Sequence, residues 1–307
     1  MMTLFIPAPV LAFTAMILLS PGDAAGEKIS TTSSATNLDS FYDRLAADLL
    51  AGKPLVTTTY IALCDNASQG IVPVKNPKIC DGDVPERNLY WNTSGGLWAW
   101  ARKHGWRRVH QSKNSEGPVL VKTVWRKRMR PGGELRARGV HERFDAYLVG
   151  LAYRGREIDQ AMTDYLRAVN SDGEQTVLVK NDVSVTFGGS SHVVGYIGHD
   201  YFLDVRGEDE ARLMREHEGK SRLAKGTFAL ACVGNDFIRP AITRENVYIF
   251  ILNKQLAFPG AWTAGGVING VAAGENGKRI HRRAARDFAN GMDKPFGGIL
   301  RSFAWGP

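Results

Sequence analysis

The amino-acid sequence predicts an α/β protein with a mainly parallel sheet, flanked by helices and carrying a β-hairpin insertion. Short apolar runs of strand length, rich in Val, Ile, Tyr and Phe, recur along the chain. Amphipathic helical patterns separate several of these runs, and this alternation is typical of parallel sheets. The chain is 44% hydrophobic and 23% charged, which excludes a disordered protein and suits a sizeable core.

The first 25 residues are predicted to be a signal peptide rather than part of the fold. Residues 4–19 are almost wholly apolar and are followed by small residues, as at a cleavage site. The alternative is a membrane anchor, although the run is shorter than the ~20 residues that a span needs. We therefore predict an exported protein, periplasmic or extracellular, with a flexible leader at residues 26–37 and a single domain at residues 38–307.

The first half of the domain is predicted to contain two helices and two strands. Apolar residues recur at helical spacing up to Leu49, which predicts a helix over residues 39–50. β-branched and aromatic residues then predict a buried strand at residues 55–63. After a loop rich in turn residues, we expect a helix at residues 95–104 and a strand at residues 119–129.

Basic residues are concentrated in what the sequence predicts to be a β-hairpin. The net charge is +8, and much of it lies within residues 122–143. The turn at Pro131-Gly132-Gly133 is expected to lead into a second strand from Glu134. Such a patch attracts polyanions, including an anionic envelope surface, and the alternative is an ordinary solvated hairpin. No nucleic-acid-binding motif is present, so a nucleic-acid partner is not predicted.

The second half of the domain continues the alternation of strands and helices. The elements predicted first are a strand at 144–152, a helix at 156–169 and a hairpin at 176–187 that turns at Asn181-Asp182. Two apolar runs follow, which end at His199 and Cys232 and are separated by a charged surface segment at 206–225. A strand at 247–252 and a basic helix at 279–290 complete the prediction. The glycine-rich stretch at 260–277 does not match a phosphate-binding loop, since the motif is out of register. Gly266, Gly270 and Gly274, at four-residue spacing, favour close helix packing, and the alternative is a loop near the active edge.

The three cysteines suggest one disulfide and one free thiol. Cys64 and Cys80 flank a loop rich in Pro, Gly and Asn, and in an oxidising compartment two cysteines pair. A bridge between them would close a loop of roughly 15 residues and stabilise the fold by about 3 kcal/mol. Cys232 would then remain free. The alternative is that all three are reduced and Cys232 is a small buried apolar residue.

A thiol and an imidazole each end a predicted buried strand. Cys232 ends the run at residues 227–232, and His199 ends the run at residues 192–199. Functional side chains gather at the carboxyl ends of strands in open parallel sheets, and adjacent strands lie about 4.8 Å apart. If the two strands are neighbours, His199 can accept the proton of Cys232 or stabilise its thiolate, which makes the thiol a nucleophile.

Polar side chains that follow strands at the same edge are predicted to bind the substrate. They are Asp65, Asn66, Arg154, Asp200 and Asp204. His192 is a poor alternative base, because seven residues of extended strand separate it from His199 by roughly 23 Å. No close Cys/His pair has the spacing of zinc ligands, so neither a metal nor another cofactor is predicted.

The motifs around the two candidate catalytic residues carry a family resemblance. Gly198-His199 and, about thirty residues later, Ala231-Cys232-Val233-Gly234 resemble the caspase-like cysteine peptidases, the clan that includes legumain, separase and gingipains. The order of strands and helices across residues 55–255 also fits that fold. The resemblance implies that His199 is the general base or thiolate partner, that Cys232 is the nucleophile, and that a peptide or protein substrate is hydrolysed through an acyl-enzyme.

One departure from that family favours a second hypothesis. A glycine usually follows the histidine and contributes its N–H to the oxyanion hole, whereas this chain has Asp200. The alternative is therefore a catalytically inactive binding protein of the cell envelope on the same scaffold. Residues 62–66 and 69–73 also resemble exported bacterial proteins of unassigned function, which implies a compartment but no activity. The side-chain specificity and the oligomeric state stay open.

Overall fold

A computed structural model describes residues 31–69, 74, 76–179, 183–205 and 222–306 of the chain. The predicted signal peptide, the turn at Asn181-Asp182 and most of the charged segment at 206–225 lie outside the described residues. Within the described part, no helix is both long enough and apolar enough to cross a bilayer.

The described residues form ten strands and eight α-helices. The strands are β1 (Leu55–Ala62), β2 (Arg107–Lys113), β3 (Val119–Met129), β4 (Phe144–Tyr153), β5 (Glu174–Leu178), β6 (Ser184–Gly188), β7 (Val193–Ile197), β8 (Lys225–Leu230), β9 (Val247–Asn253) and β10 (Phe303–Ala304). The helices are α1 (Thr31–Leu50), α2 (Leu97–Lys103), α3 (Gly133–Ala137), α4 (Ile158–Asn170), α5 (Gly234–Phe237), α6 (Ala261–Ala272), α7 (Gly277–Gly291) and α8 (Phe296–Arg301).

Eight of these strands form one mixed sheet, in the order β10-β9-β8-β7-β1-β4-β3-β2. The five strands from β9 to β4 in that order are parallel to one another. Antiparallel strands complete both edges, with β10 beside β9 and the pair β2 and β3 beside β4. β5 and β6 form a separate antiparallel pair. The predicted α/β class, with its mainly parallel sheet and hairpin, is confirmed.

Helices cover both faces of the sheet, which explains why its central strands are buried along their whole length. All eight residues of β1 are buried, and its apolar residues are divided between two hydrophobic clusters. Leu55 and Ile61 pack in the cluster that includes Phe41 of α1, whereas Tyr60 packs in the cluster that includes Met162 of α4. The two faces of the sheet therefore have separate cores.

Three elements differ from the prediction. α1 begins at Thr31, within the predicted leader. The sequence did not predict this first part of the helix, because a run of Ser and Thr gives no apolar periodicity. The prediction of a strand from Glu134 is wrong, because this segment forms the helix α3. Both edges of β3 are already paired, and the Glu134 N–H donates instead to the Gly274 carbonyl at 2.8 Å. β2 was not predicted, because its sequence is polar and basic and it lies at the edge of the sheet.

The glycines of α6 allow close helix packing, as their spacing predicts. A Cβ atom at Gly266 would lie 2.6 Å from the Cα atom of Ala284 in α7, so a larger residue would push the two helices apart. This contact places α6 and α7 together on one face of the sheet.

Lys225 is buried in β8, although the sequence places it at the end of a charged surface segment. Its ammonium group donates to the carbonyl oxygen of Ala168 at 3.0 Å and to those of Ser171 and Gly189. The Asp172 carboxylate lies 3.4 Å away. Burial lowers the pKa of Lys225 to about 8. The end of α4 is thereby tied to the amino end of the sheet.

Candidate functional site

The structure places His199 and Cys232 at the same edge of the sheet, at the carboxyl ends of two neighbouring strands. Ile197 of β7 pairs with Leu230 of β8, and the Gly198 N–H donates to the Leu230 carbonyl at 3.2 Å. His199 and Cys232 each come two residues after this pair, so they leave their strands at the same level. The two residues therefore share the carboxyl edge of the sheet, and their action as a dyad stays a prediction.

His199 is buried, and one of its ring nitrogens is held by an aspartate. Its side chain is 4% exposed, and Nε2 lies 2.9 Å from Oδ2 of Asp204. A short 3₁₀ turn, capped by the Asp200 carboxylate accepting from the Phe202 N–H at 3.1 Å, brings Asp204 back to the ring. Because the carboxylate accepts the Nε2 hydrogen, the lone pair of the neutral ring is at Nδ1. Nδ1 itself is buried and has no hydrogen-bond partner among the residues that the structure describes.

Cys232 is a free, half-buried thiol. Burial raises the pKa of Cys232 and the charge of Asp200 raises it further, while backbone hydrogen bonding at Ala257 and at Cys232 itself opposes the shift. The Sγ atom lies 3.7 Å from the Ala257 carbonyl oxygen, and no hydrogen bond joins it to His199 within the described chain. The thiol is therefore in its protonated, resting form at neutral pH.

The residue after the thiol has an unusual backbone conformation. Val233 has a φ of 47°, in the left-handed region that β-branched residues rarely adopt. Its N–H donates to the Gln255 carbonyl at 3.2 Å, and α5 follows directly. Strained backbone of this kind clusters at functional sites, and here it sets the direction in which the chain leaves β8.

Asp200 is a buried carboxyl group at the same edge. It is fully buried. One of its oxygens caps the 3₁₀ turn, and Oδ2 has no hydrogen-bond partner in the described chain. Burial raises the pKa of Asp200 to about 7, and the nearby charge of Asp204 contributes to this rise. The group therefore changes its charge close to neutral pH, beside a thiol whose own ionisation its charge opposes.

The side chains of Asp65 and Asn66 hold the loop that follows β1. The Asp65 carboxylate accepts from the Ala67 N–H at 3.1 Å and from the Ser68 hydroxyl at 2.6 Å. The amide of Asn66 exchanges two hydrogen bonds with the backbone of Val74. Their predicted contact with substrate stays a prediction, and what the structure shows is a role in shaping the edge.

Arg154 has a similar position after β4. Its guanidinium donates to the carbonyl oxygens of Ser115 and Gly117 and forms an ion pair with Asp83. The side chain is 11% exposed. Arg154 therefore joins two loops at the carboxyl edge, and substrate binding by this residue also stays a prediction.

The predicted disulfide joins Cys64 to Cys80, with the Cα atoms 4.7 Å apart. It starts two residues after β1, and the Asn66 N–H donates to the Cys80 carbonyl at 3.1 Å beside it. The bridge fixes the loop after β1 at the carboxyl edge and leaves Cys232 as the free thiol.

The amino ends of the parallel strands, opposite the end that carries His199 and Cys232, have a second histidine–aspartate pair that the sequence did not reveal. His192 Nε2 lies 3.1 Å from Oδ2 of Asp48, and its Nδ1 accepts from the Val56 N–H at 3.2 Å. Burial lowers the pKa of His192, while the hydrogen bond from His192 holds the pKa of Asp48 well below its usual range. A cavity of about 480 Å³ adjoins the pair, with Arg44 and Lys53 in its wall.

The basic segment is partly neutralised by neighbouring carboxylates. Arg126 and Arg128 lie 2.7 Å and 3.7 Å from the carboxylate of Asp145. Arg138 contacts three carboxylates, those of Asp39, Asp43 and Glu134. An anionic envelope surface as a partner stays a prediction.

The fold and the site define an α/β protein whose carboxyl sheet edge carries a buried His–Asp pair and, on the next strand, a free thiol. In the described part of the chain, no group of three or more His, Cys, Asp or Glu side chains is placed to hold a metal ion. Comparison with family models, curated proteins and solved structures finds no similar protein.

Proposed function

We propose that the protein is an exported cysteine peptidase that hydrolyses peptide bonds with Cys232 as nucleophile and His199 as base. One observation carries the proposal. The two residues leave neighbouring parallel strands at the same level, and the ring nitrogen of His199 that has the lone pair has no hydrogen-bond partner among the described residues. The resemblance of the surrounding motifs to caspase-like peptidases, and a mainly parallel sheet with both residues at its carboxyl edge, support the same assignment.

His199 and Asp204 act together in the proton transfers. Nδ1 of His199 accepts the proton of the Cys232 thiol, and the Asp204 carboxylate stabilises the imidazolium through Nε2. A hydrogen bond between base and nucleophile is often absent from a free enzyme and forms when substrate binds. Substrate binding excludes water, which strengthens the attraction between the thiolate and the imidazolium.

The reaction then follows two acyl-transfer steps. The thiolate attacks the peptide carbonyl carbon, forming a C–S bond and moving an electron pair onto the carbonyl oxygen. The tetrahedral intermediate breaks its C–N bond, and the leaving amine takes the proton from His199. A water molecule, deprotonated by His199, attacks the thioester, the C–S bond breaks, and the departing thiolate of Cys232 recovers the proton from His199.

Export is supported by the disulfide. Disulfides persist in oxidising compartments and are rare where thiols are kept reduced, and Cys64–Cys80 is placed to constrain the loop after β1. The apolar amino-terminal segment is the second argument for export.

A second candidate function is peptide binding without catalysis. Asp200 favours it, because a buried carboxyl group occupies the position where the resemblance expects glycine and its charge raises the pKa of the thiol. On this hypothesis, the same edge holds a peptide or polar ligand, and Cys232 has no reaction to perform.

Thiol reactivity tests the dyad directly. The mature protein is treated with iodoacetamide at pH 7, and carbamidomethylation of Cys232 is followed by intact mass. We expect His199→Ala to slow labelling at least ~10-fold, because general-base assistance contributes about 10²–10⁴-fold. His141→Ala, which removes an exposed histidine, is the matched control and should leave the rate unchanged. Equal rates in all three proteins would end the dyad proposal.

Cleavage of a proteome-derived peptide library then separates catalysis from binding. Wild-type protein and Cys232→Ala are compared, so that peptidases carried through purification are subtracted. We expect cleavage by the wild type alone. If neither protein cleaves any peptide, while both enrich the same peptides, the binding function replaces the peptidase.

A further inference from the structure

The loop between β9 and α6, residues 254–260, borders both the free thiol and an apolar cavity. The Ala257 carbonyl lies 3.7 Å from Sγ of Cys232, and the Gln255 carbonyl accepts from the Val233 N–H at 3.2 Å. Gln255 and Ala257 also line a cavity of about 410 Å³. Two residues of one loop therefore connect the candidate nucleophile with this cavity.

The wall of the cavity is mostly apolar. Its main apolar side chains are Leu256, Phe258, Phe288, Met292, Ile299 and Phe303. Leu256 is 77% exposed, so its side chain adds apolar surface at the cavity. Lys294 is the charged residue among those that line the cavity.

We propose that this cavity binds a large apolar side chain of the peptide substrate, such as Leu, Phe or Met, close to the bond that Cys232 attacks. The inference rests on the proposed peptidase function and extends it to substrate class. A volume of about 410 Å³ lies within the roughly 300–1,000 Å³ of small-molecule sites and exceeds the needs of a small side chain.

The cavity disfavours charged and polar side chains. An ammonium group would lose its hydration against Phe288 and Phe303 and would meet the like charge of Lys294. A carboxylate would lose the same hydration, and its one cationic neighbour in the lining is Lys294, which is exposed to solvent. The Ser302 hydroxyl is already within hydrogen-bond distance of Gln255 Oε1 at 3.2 Å and of the Gly298 carbonyl at 3.3 Å. The cavity therefore selects by apolar contact, for which each missing methylene changes the rate by about 10–200-fold.

Two adjacent glycines of α8 provide a matched pair of variants. Gly298 lines the cavity and Gly297 does not, yet a Cβ atom at either position would meet no atom within 4 Å. Both positions can accept a side chain without displacing a neighbour, and both substitutions favour the helix over glycine. Gly298→Phe is expected to occupy the cavity, and Gly297→Phe serves as its control.

Labelling by peptide electrophiles measures the selectivity. Acetyl-Ala-Ala-X chloromethyl ketones, with X as Leu, Phe, Ala, Asp or Lys, are compared by the second-order rate of Cys232 modification. We expect Leu and Phe to react at least ~10-fold faster than Ala, Asp and Lys. Gly298→Phe should remove this advantage, while Gly297→Phe should keep it. Iodoacetamide, which has no such side chain, should react equally with all three proteins. Equal rates across X, or an unaffected Gly298→Phe, would refute the cavity assignment.

Equilibrium binding distinguishes failure of the cavity from failure of the peptidase. Cys232→Ala protein is titrated with acetyl-Ala-Ala-Leu-amide and acetyl-Ala-Ala-Ala-amide, and binding is measured by calorimetry. We expect the leucyl peptide to bind at least ~10-fold more tightly, and this difference to disappear when Gly298→Phe is added. Equal affinities would overturn the cavity proposal even if His199-dependent labelling is found. Tighter binding of the leucyl peptide, lost when Gly298→Phe is added, would uphold the cavity even if His199-dependent labelling is absent.

Discussion

Strand β7 is flanked by two buried histidines, each hydrogen-bonded to an aspartate, and within the described chain they differ in whether the second ring nitrogen has a partner. His192, before the strand, accepts from the Val56 N–H at Nδ1 and lies 3.1 Å from Asp48 at Nε2. His199, after the strand, has Asp204 at Nε2, and no described residue forms a hydrogen bond with its Nδ1. Both pairs are buried and join a histidine Nε2 to an aspartate Oδ2. They differ in the surroundings of Nδ1.

This difference teaches that a His–Asp pair alone does not define a catalytic site. The Val56 N–H needs the lone pair of His192, so that ring is neutral and both of its nitrogens are used in joining α1, β1 and β7. In His199 the lone pair at Nδ1 meets no donor in the described part of the chain, and the proposed peptidase function uses this lone pair. The sheet edge with the free nitrogen is also the edge with the free thiol.

Replacing His199 should have the largest effect on activity. We expect His199→Gln to lower peptide hydrolysis by about 10³-fold, because glutamine retains a donor for Asp204 but cannot accept the thiol proton. The free energy of unfolding should change by less than about 1 kcal/mol. Steady-state rates and urea titrations of the same preparation measure both. A loss of stability large enough to explain the lost activity would contradict the comparison.

Asp200 should make stability at the carboxyl edge depend on pH. Its folded pKa is about 7, whereas an unfolded aspartate titrates near 3.9. The folded state therefore binds the proton more tightly, so stability is retained below pH 4 and is lost as pH rises from about 4 to 7. The full loss corresponds to about 4 kcal/mol.

Asp200→Asn should remove that loss. We expect the variant to be more stable than the wild type at pH 8, by up to about 4 kcal/mol, and equally stable at pH 4. The iodoacetamide rate profile of Cys232 should also move to lower pH, because a negative charge has been removed. Denaturant titrations at both pH values are the measurement, and parallel stability curves would show that Asp200 ionises normally.

His192→Ala should reduce stability without changing chemistry. The substitution leaves the buried Val56 N–H without an acceptor and removes the His192 donor from Oδ2 of Asp48, and we expect a loss of about 3 kcal/mol. Activity per folded molecule should be unchanged at low temperature. His141→Ala, at an exposed position, should change stability by less than about 0.5 kcal/mol. A selective loss of activity in His192→Ala would remove the distinction between the two pairs.

Asp204→Asn should have the smallest effect and should sharpen the assignment of Nδ1. An asparagine can donate to Nε2, which moves the ring hydrogen to Nδ1 in much of the population, so we expect roughly 10-fold slower hydrolysis. The ¹⁵N shifts of the His199 ring report the tautomer independently of activity. An unchanged tautomer with an unchanged rate would mean that Asp204 does not position the base.

Much of the fold could be predicted because its central strands are apolar on both faces. β3 was predicted with its observed bounds, and β4 and β9 to within one residue, since long Val- and Ile-rich runs leave few alternatives. The polar strand β2 and the helix α3 were missed, because their conformations depend on which sheet edges are already paired. That information is not local in sequence.

The candidate site was predictable to the extent that it follows the ends of strands. His199 and Cys232 could be placed at one edge because each ends an apolar run, and parallel strands end together. The role of Asp204 as the partner of His199 depends on the 3₁₀ turn between them and was not foreseen. The His192–Asp48 pair joins residues 144 positions apart, for which the sequence holds no local signal.

The buried ammonium group of Lys225 has a consequence for the order of folding. It serves as a cap for the end of α4, bonding the carbonyls of Ala168 and Ser171 across 57 and 54 positions of chain. A helix ordinarily finds its terminal partners nearby, within a few residues. Because these partners of the last turn of α4 belong to Lys225 in β8, we expect that turn to form late in folding, after β8 has docked. Mutations in that turn would then accelerate unfolding and leave the rate of folding almost unchanged.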